Sequence, residues 1–202
     1  EVIGGHRSMQ QLLDGRADFA TSSEAVVMFS SFQRDDFVLL ASFVTSADDV
    51  KVLVRGDSGI ARVEHLVGRR IATVRASASN YYLDTLLLLH GVDPNSIKRI
   101  DLQPEVMATA LQGKDVDAIV PWQPFAFRAE RLVEGARTLA DGGFYTLSFN
   151  LLVARKHVGV RDDDLLRFLR ALDRAQRFIA AEPARAQAIL RVRLQLDQAY
   201  ID

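Results

Sequence analysis

Residues that could bind a ligand follow four segments that read as short buried strands, and three of these four stretches are rich in small residues. In open α/β sheets, ligands lie beyond the carboxyl ends of the strands, at the N-termini of the helices that follow. Free backbone N–H groups at a helix start, with the positive end of the helix dipole, favour an anion. Trp122 adds a flat aromatic wall and Gln123 an amide. The candidate binding residues are Gly5, Ser22, Ser23, Glu24, Ser77, Ala78, Ser79, Asn80, Trp122 and Gln123.

Each of these residues also has a purely structural interpretation. A serine at these positions can cap its helix by accepting a backbone N–H bond, and Glu24 can stabilise the start of its own helix. Trp122 can belong to the core, although its place beside two prolines just after a strand favours a ligand contact. Arg75 precedes the turn at Ser77 and either meets an anion or lies in solvent. The sequence leaves these alternatives open.

The chain shows no residue set typical of catalysis or of metal binding. It has no paired acid and base at a meaningful spacing, no nucleophile elbow and no P-loop. The absence of cysteine excludes a thiolate zinc site and a cysteine nucleophile within these residues. The histidines show no metal-ligand spacing, and we expect each to be structural or exposed: His6, His65, His90 and His157. A site of main-chain amides, hydroxyls and one aromatic ring predicts binding without catalysis, with no cofactor and no metal.

The composition is that of an ordinary globular domain, since 49% of the 202 residues are hydrophobic and 25% are charged. A net charge of −1 provides no basic field for nucleic acid. No apolar run reaches the roughly 18–20 residues that span a bilayer. The chain carries no signal peptide and begins without Met, which is typical of a processed or trimmed chain. A signal peptide that has been removed remains compatible with this start, and composition alone leaves the compartment open.

Helix and strand patterns alternate along the chain and predict α/β layers with mostly parallel sheets. Ser77 or Ser79 is expected to cap the helix that stops at Gly91. Strands are predicted over residues 17–21, 37–43, 50–54, 69–74, 97–102 and 116–120, with an extended segment over 144–154. Helices are predicted around residues 9–13, 63–68, 82–89, 106–111 and 125–132 and through the tail.

Two stretches about a hundred residues apart share a plan, LLDGRADFA at 12–20 and ALQGKDVDAI at 110–119. In each, a helix ends in Leu-x-Gly and an Asp opens a short buried strand. This repeated pattern predicts two similar α/β lobes. A helix followed by a glycine and a strand is, however, common in any α/β protein.

The same segments resemble the periplasmic substrate-binding proteins of aliphatic sulfonate, taurine and nitrate importers, which are related to binding proteins for thiamine pyrimidine precursors. The resemblance runs from about residue 5 to about residue 190 and is carried by LLDGRADFATSSE, LVGRRIATVRASASNYYL, LLHGVDPNSIKRIDL, ALQGKDVDAIVPWQPF and LADGGF. It implies a two-lobed, type II periplasmic-binding-protein fold, with lobe I at 1–50 and 150–202 and lobe II at 51–149. The hinge would lie near 50–55 and 146–152. The residues that bind the anionic head group of the ligand would be Ser77, Ala78 and Ser79.

The resemblance also implies a function, the solute-binding component of an ABC importer, monomeric and partnered by a membrane permease. It implies an extracytoplasmic location, either periplasmic or lipid-anchored. The ligand would be a small anion such as a sulfonate, taurine or nitrate. Gln123 stands where the family usually has Asp or Glu, and Ala76 where it usually has Gly, so the ligand stays open. Family members extend further at both ends, so we expect a truncated chain.

Two other functions remain compatible with the sequence. One is the sensing domain of a membrane-bound histidine kinase or cyclase, with its own transmembrane signalling domain in place of a permease. The other is an enzyme of the same fold, a desulfinase or a pyrimidine-precursor synthase.

Overall fold

The computed structural model describes residues 4–139, 143–194, 196 and 198–201, which form two β-sheets with helices packed on them. The helices are α1 (Gly5–Leu13), α2 (Glu24–Ser31), α3 (Ala78–Leu89), α4 (Pro104–Gln112), α5 (Phe125–Leu132), α6 (Asp162–Ala181), α7 (Pro183–Leu194) and α8 (Gln198–Ile201). The strands are β1 (Phe19–Ser23), β2 (Phe37–Ser46), β3 (Leu53–Val54), β4 (Arg70–Thr73), β5 (Lys98–Asp101), β6 (Ala118–Ile119), β7 (Arg137–Thr138) and β8 (Leu147–Ala154). The predicted α/β class is confirmed.

The smaller sheet is antiparallel and has the strand order β1-β8-β2. Its central strand β8 pairs with β1 in a register that sets Ala20 opposite Leu152. Helix α1 packs on this sheet through Met9 and Leu12, because residues three apart lie on one face of a helix. The packing brings the start of α1 against the end of β1, next to Ser22.

The larger sheet has the order β5-β4-β6-β3-β7 and is covered on both faces. Successive side chains of a strand point to opposite faces, so Ile71 packs with Leu83 of α3, while Ala72 packs with Met107 of α4. Helix α5 joins α4 on its face through Ala126. Helix α3 follows β4 and helix α5 follows β6, and because these two strands are parallel neighbours both helices start beyond the carboxyl ends of the strands.

The chain leaves the smaller sheet after Ser46 and returns to it at Leu147. Near the outward crossing, Val50 forms an antiparallel bridge with Trp122, and the Lys51 N–H donates to the Pro121 carbonyl at 3.1 Å. These bonds hold the Trp122 loop against the segment that joins the two sheets. The division into lobes at 1–50 with 150–202 and at 51–149, and the hinge between them, stay predictions.

Several local expectations differ from the structure, and one is the strand expected over 116–120, which is reduced to Ala118–Ile119. Among the described strands, parallel pairing is confined to β4 with β5 and with β6. Strand β8 runs antiparallel to β1 and β2, and β3 runs antiparallel to β6 and β7. The strand expected over 50–54 is reduced to Leu53–Val54, since Val50 pairs with a loop rather than with a strand. The helix expected over 63–68 is the short 3₁₀ turn Val63–Leu66. Part of the LADGGF stretch lies outside the described residues.

Candidate functional site

A cavity of about 440 Å³ lies between the two sheets. Its wall on the side of the smaller sheet includes Val26, Val44, Leu147 and Phe149, which are apolar. Leu194 and Leu196 near the C-terminus also line it. Six of the ten residues predicted from the sequence contribute to its wall: Gly5, Ser23, Ser77, Ala78, Trp122 and Gln123.

Four helices begin at this cavity. The N-cap residues of α1, α2, α3 and α5 all line it: Gly4, Ser23, Ser77 and Pro124. The first backbone N–H groups of a helix have no partner within the helix, and the helix dipole places partial positive charge there. Four such ends around one cavity create a site suited to negative charge.

The start of α1 approaches β1 so closely that residue 5 has no room for a side chain. A Cβ on Gly5 would lie 2.7 Å from Ser22 Oγ and 3.0 Å from Ser22 Cα. Ser22 Oγ is buried without a hydrogen-bond partner in the described part of the chain, and so is Nδ1 of His6, a residue that lines the cavity. Buried polar atoms are normally hydrogen-bonded. These two atoms are therefore able to form a hydrogen bond with a bound molecule.

The hydroxyl groups at the start of α3 are engaged within the protein. Ser77 Oγ donates to the Val74 carbonyl at 2.7 Å and accepts the Ser79 N–H at 3.2 Å, which confirms Ser77 as the N-cap. Ser79 Oγ accepts the Val74 N–H at 3.3 Å. Ala78 lines the cavity at the first helical position. The groups of α3 that can bind a molecule in the cavity are therefore mainly its backbone N–H groups.

Ala76, just before this turn, has a φ of +52°. A Cβ is disfavoured in this left-handed region, where glycine is the usual residue. We expect Ala76→Gly to raise the free energy of unfolding by roughly 0.5–1 kcal/mol, because the relief of strain exceeds the added entropy of the unfolded chain.

The control for this prediction is the same substitution inside a helix. Ala108→Gly in α4 should lower the free energy of unfolding by about 1 kcal/mol. Urea unfolding monitored by circular dichroism measures both. Equal destabilisation by the two variants would show that Ala76 is not strained.

Trp122 and Gln123 form the aromatic and amide part of the wall. The indole ring meets the rings of His6 and Phe125 edge-on, with centroids at 6.2 Å and 6.4 Å. Gln123 Oε1 accepts the Phe127 N–H at 3.2 Å and so helps to start α5. The Gln123–Pro124 peptide bond is cis. Trp122 also packs against the buried clusters on both faces of the larger sheet. The side chain is therefore part of the core and part of the cavity wall at the same time.

The other four predicted residues do not line the cavity: Ser22, Glu24, Ser79 and Asn80. The Glu24 carboxylate accepts hydrogen bonds from the Tyr145 hydroxyl and from the N–H and hydroxyl of Ser148, with the N–H at 2.7 Å. Asn80 Nδ2 donates to Asp84 at 2.6 Å. These partners join Glu24 to the strand β8 and Asn80 to the next turn of α3.

Sequence reasoning missed four polar residues that line the cavity: His6, Ser46, Asp49 and Arg128. His6 was expected to be structural or exposed, but the glycine pair before it leads the chain directly into the cavity wall. Arg128 is exposed and lies over the Phe125 ring at 5.8 Å. Nothing in the sequence singles out Asp49, since it lies in a connection between strands.

Burial shifts the titration of two of these groups. The pKa of Asp49 is raised to about 6, chiefly because burial disfavours the carboxylate, and a hydrogen bond from the Gln123 backbone opposes this only in part. The pKa of His6 is lowered by burial, against an opposing hydrogen bond with Gln103. Both shifts favour the neutral forms of the two side chains.

Across the described ranges, no helix is both long and apolar enough to cross a membrane. The same residues contain no group of three or more His, Cys, Asp or Glu placed to hold a metal ion.

Two β-sheets with helices packed on them border one cavity, and four helices begin at this cavity. The chain belongs to the NMT1/THI5 like family, whose model matches residues 4–186.

Similar proteins in this family are named for sulfonate binding. A Bacillus subtilis (strain 168) protein named for aliphatic sulfonates is 29% identical over 181 residues, covering 87% of this chain and 53% of its own length. The taurine-binding periplasmic protein of Escherichia coli (strain K12) is 27% identical over 127 residues, covering 60% of this chain and 39% of its own. These findings confirm the resemblance to sulfonate- and taurine-binding proteins. The chain spans about half the length of the curated relatives, or less.

Solved structures show the same fold. The alkanesulfonate-binding protein SsuA of Xanthomonas axonopodis pv. citri, bound to MOPS, has a TM-score of 0.85 at 22% identity, covering 98% of this chain and 68% of that one. The desulfurization enzyme DSZB has a TM-score of 0.67 at 16% identity, covering 89% of this chain and 67% of that one. The periplasmic-binding-protein-like fold is thereby confirmed, and it is shared by binding proteins and by an enzyme.

Proposed function

We propose that this chain is the solute-binding part of an ABC-type importer and captures a small organic sulfonate between its two sheets. The observation that carries the proposal is the convergence of four helix N-termini on one cavity. The similarity to sulfonate- and taurine-binding proteins supports the same choice of ligand class.

A sulfonate suits this cavity in both charge and shape. Its three oxygens carry a permanent negative charge and accept hydrogen bonds, which the backbone N–H groups at Gly5 and Ala78, in the first turns of α1 and α3, can donate. His6 Nδ1 lacks a partner among the described residues and adds a further polar contact. A carbon tail would lie against Val44 and Phe149. The volume of about 440 Å³ is within the range of small-molecule sites.

Binding between the sheets favours the state in which they are close together. A ligand that contacts both sides stabilises the closed arrangement by its differential affinity for it. Arg7 of α1 donates to Glu105 and Gln103, each at 2.9 Å, and so links α1 to the start of α4 on the other sheet. In the proposed cycle, closure forms the surface that a membrane permease recognises outside the cytoplasm.

A thermal-shift series tests this function. Ethanesulfonate and 2-aminoethanesulfonate should raise the melting temperature, with nitrate as a minimal anion and choline as a cationic control. Saturation at 100 times the Kd adds about 2.7 kcal/mol, or roughly 5–10 °C for a chain of this size. No shift with any sulfonate, or an equal shift with choline, would contradict the proposal.

An enzyme of the same fold is the second candidate, because DSZB shares the fold. We propose that this chain does no chemistry, since within the described residues no serine that lines the cavity is hydrogen-bonded to His6 or to Asp49 as a nucleophile is to its base. Incubation with ethanesulfonate and with biphenyl-2-sulfinic acid should return both compounds unchanged by chromatography. A product formed only in the presence of the protein would favour the enzyme.

A further inference from the structure

Helix α6 is anchored on the smaller sheet. Its Phe168 ring stacks on the ring of Phe19 in β1, with centroids 4.4 Å apart. Further along α6, the side-chain amide of Gln176 donates a hydrogen bond to the Phe43 carbonyl of β2. Helix α7 packs against α6, so α7 also belongs to the side of the smaller sheet.

The end of α7 and the residues after it connect this side of the cavity to the other. Leu194 and Leu196 line the cavity. The Tyr200 ring in α8 then meets the ring of Phe127 in α5 edge-on, with centroids 5.2 Å apart. Helix α5 packs on the larger sheet. We call Leu194, Leu196 and α8 the strap, because together they connect the two sides across the cavity.

Hydrogen bonds hold the strap in a defined position relative to α7. The Leu196 N–H donates to the Arg191 carbonyl at 3.1 Å, and Arg191 Nη1 donates to Gln198 Oε1 at 2.7 Å. Burial raises the pKa of Tyr200, and the charge of Asp49 in the cavity wall adds to this shift. The strap is therefore fixed in place as a part of the cavity wall.

The leucine side chains of the strap can give a bound molecule apolar contact but no hydrogen bond. A sulfonate group held at the helix starts leaves its carbon tail to the apolar part of the wall, to which Leu194 and Leu196 belong. We propose that the strap limits the length of this tail, so that the protein selects among sulfonates by tail length. The inference rests on the proposed function and names a specificity determinant of the same site.

Tail length should act on the affinity in two opposing ways. Each methylene that is buried raises the affinity roughly fourfold, because it removes a similar apolar area from water. A tail longer than the space in front of the strap must displace the leucines, and overfilling a packed apolar site is destabilising. The affinity for unbranched alkanesulfonates should therefore rise with tail length up to a limit and then stop rising.

Isothermal titration calorimetry with unbranched alkanesulfonates, from ethanesulfonate to octanesulfonate, locates this limit. Leu196→Ala removes an isopropyl group from the strap, so the limit should move to a tail longer by about one to two methylenes. Just beyond the wild-type limit, Leu196→Ala should bind roughly 4–16-fold more tightly than wild type. Ethanesulfonate, the shortest of the series, should bind both proteins with similar affinity.

Two further variants separate the strap from general effects on the fold. Leu190→Ala is the matched control, because it is the same substitution on α7 at a residue that does not line the cavity, and it should keep the wild-type limit. Tyr200→Ala removes the ring contact with Phe127 and should extend the limit in the same direction as Leu196→Ala. Circular dichroism checks that each variant is folded.

The outcomes separate this inference from the function on which it rests. A limit at the same tail length in wild type, Leu196→Ala and Tyr200→Ala overturns the role of the strap and leaves sulfonate binding intact. An equal shift of the limit in Leu190→Ala overturns it as well. Failure of every alkanesulfonate to bind overturns the proposed function, and the role of the strap with it.

Discussion

Replacing Trp122 with alanine is expected to weaken sulfonate binding by roughly 30-fold, equivalent to about 2 kcal/mol. The indole forms part of the cavity wall and meets His6 and Phe125 edge-on, so its removal opens the wall and takes away apolar contact with the ligand. Large aromatic side chains supply much of the binding energy in such sites. Calorimetric titration with 2-aminoethanesulfonate measures the loss.

The same ring packs against both faces of the larger sheet, so Trp122→Ala also lowers stability. Trp122→Phe is the matched variant, because it keeps an aromatic wall and most of the packing. It should retain an affinity between those of wild type and Trp122→Ala, with a circular dichroism spectrum like that of wild type. Unchanged affinity in both folded variants would remove Trp122 from the site.

The second large effect is a gain in stability on neutralising Asp49. Burial raises the pKa of Asp49 to about 6, from 3.8 in the unfolded chain. The folded state therefore binds the proton more tightly, and this contribution to stability is full below about pH 4 and is lost as the pH rises through 6. At pH 8, Asp49→Asn should raise the free energy of unfolding by about 2–3 kcal/mol.

Urea unfolding between pH 4 and pH 8 gives the measurement. The difference in stability between Asp49→Asn and wild type should grow over this range, whereas Asp48→Asn should show no such growth, since Asp48 is exposed and paired with Lys51. A difference that stays constant with pH would mean that the Asp49 carboxylate is not desolvated. The expected gain is typical of functional residues, which are often kept at a cost in stability.

Much of the fold follows from local sequence signals. The helix over 125–132 has the predicted bounds, and Ser77 caps α3 because a serine there can accept the Ser79 N–H. Glycine at positions such as Gly91 ends a predicted helix by adopting a positive φ. The short strand β3 was harder to predict, because an apolar run does not show which of its residues find a partner strand.

The site was predicted only in part, for a physical reason. Small residues after strands marked the helix starts, and six of the ten predicted residues line the cavity. The sequence does not show where a hydroxyl directs its hydrogen bonds, so it could not tell that Ser77 and Ser79 bond to Val74. It also could not identify Asp49, which lines the cavity because the Trp122 loop, distant in sequence, packs beside it.

The most direct test of the central claim uses the single tryptophan of the chain. Because Trp122 lines the cavity, its fluorescence should change in a saturable way as 2-aminoethanesulfonate is added, and the midpoint should match the calorimetric Kd. Choline should leave the emission unchanged. A fluorescence that stays constant while calorimetry detects binding would place the ligand elsewhere and contradict a sulfonate site between the two sheets.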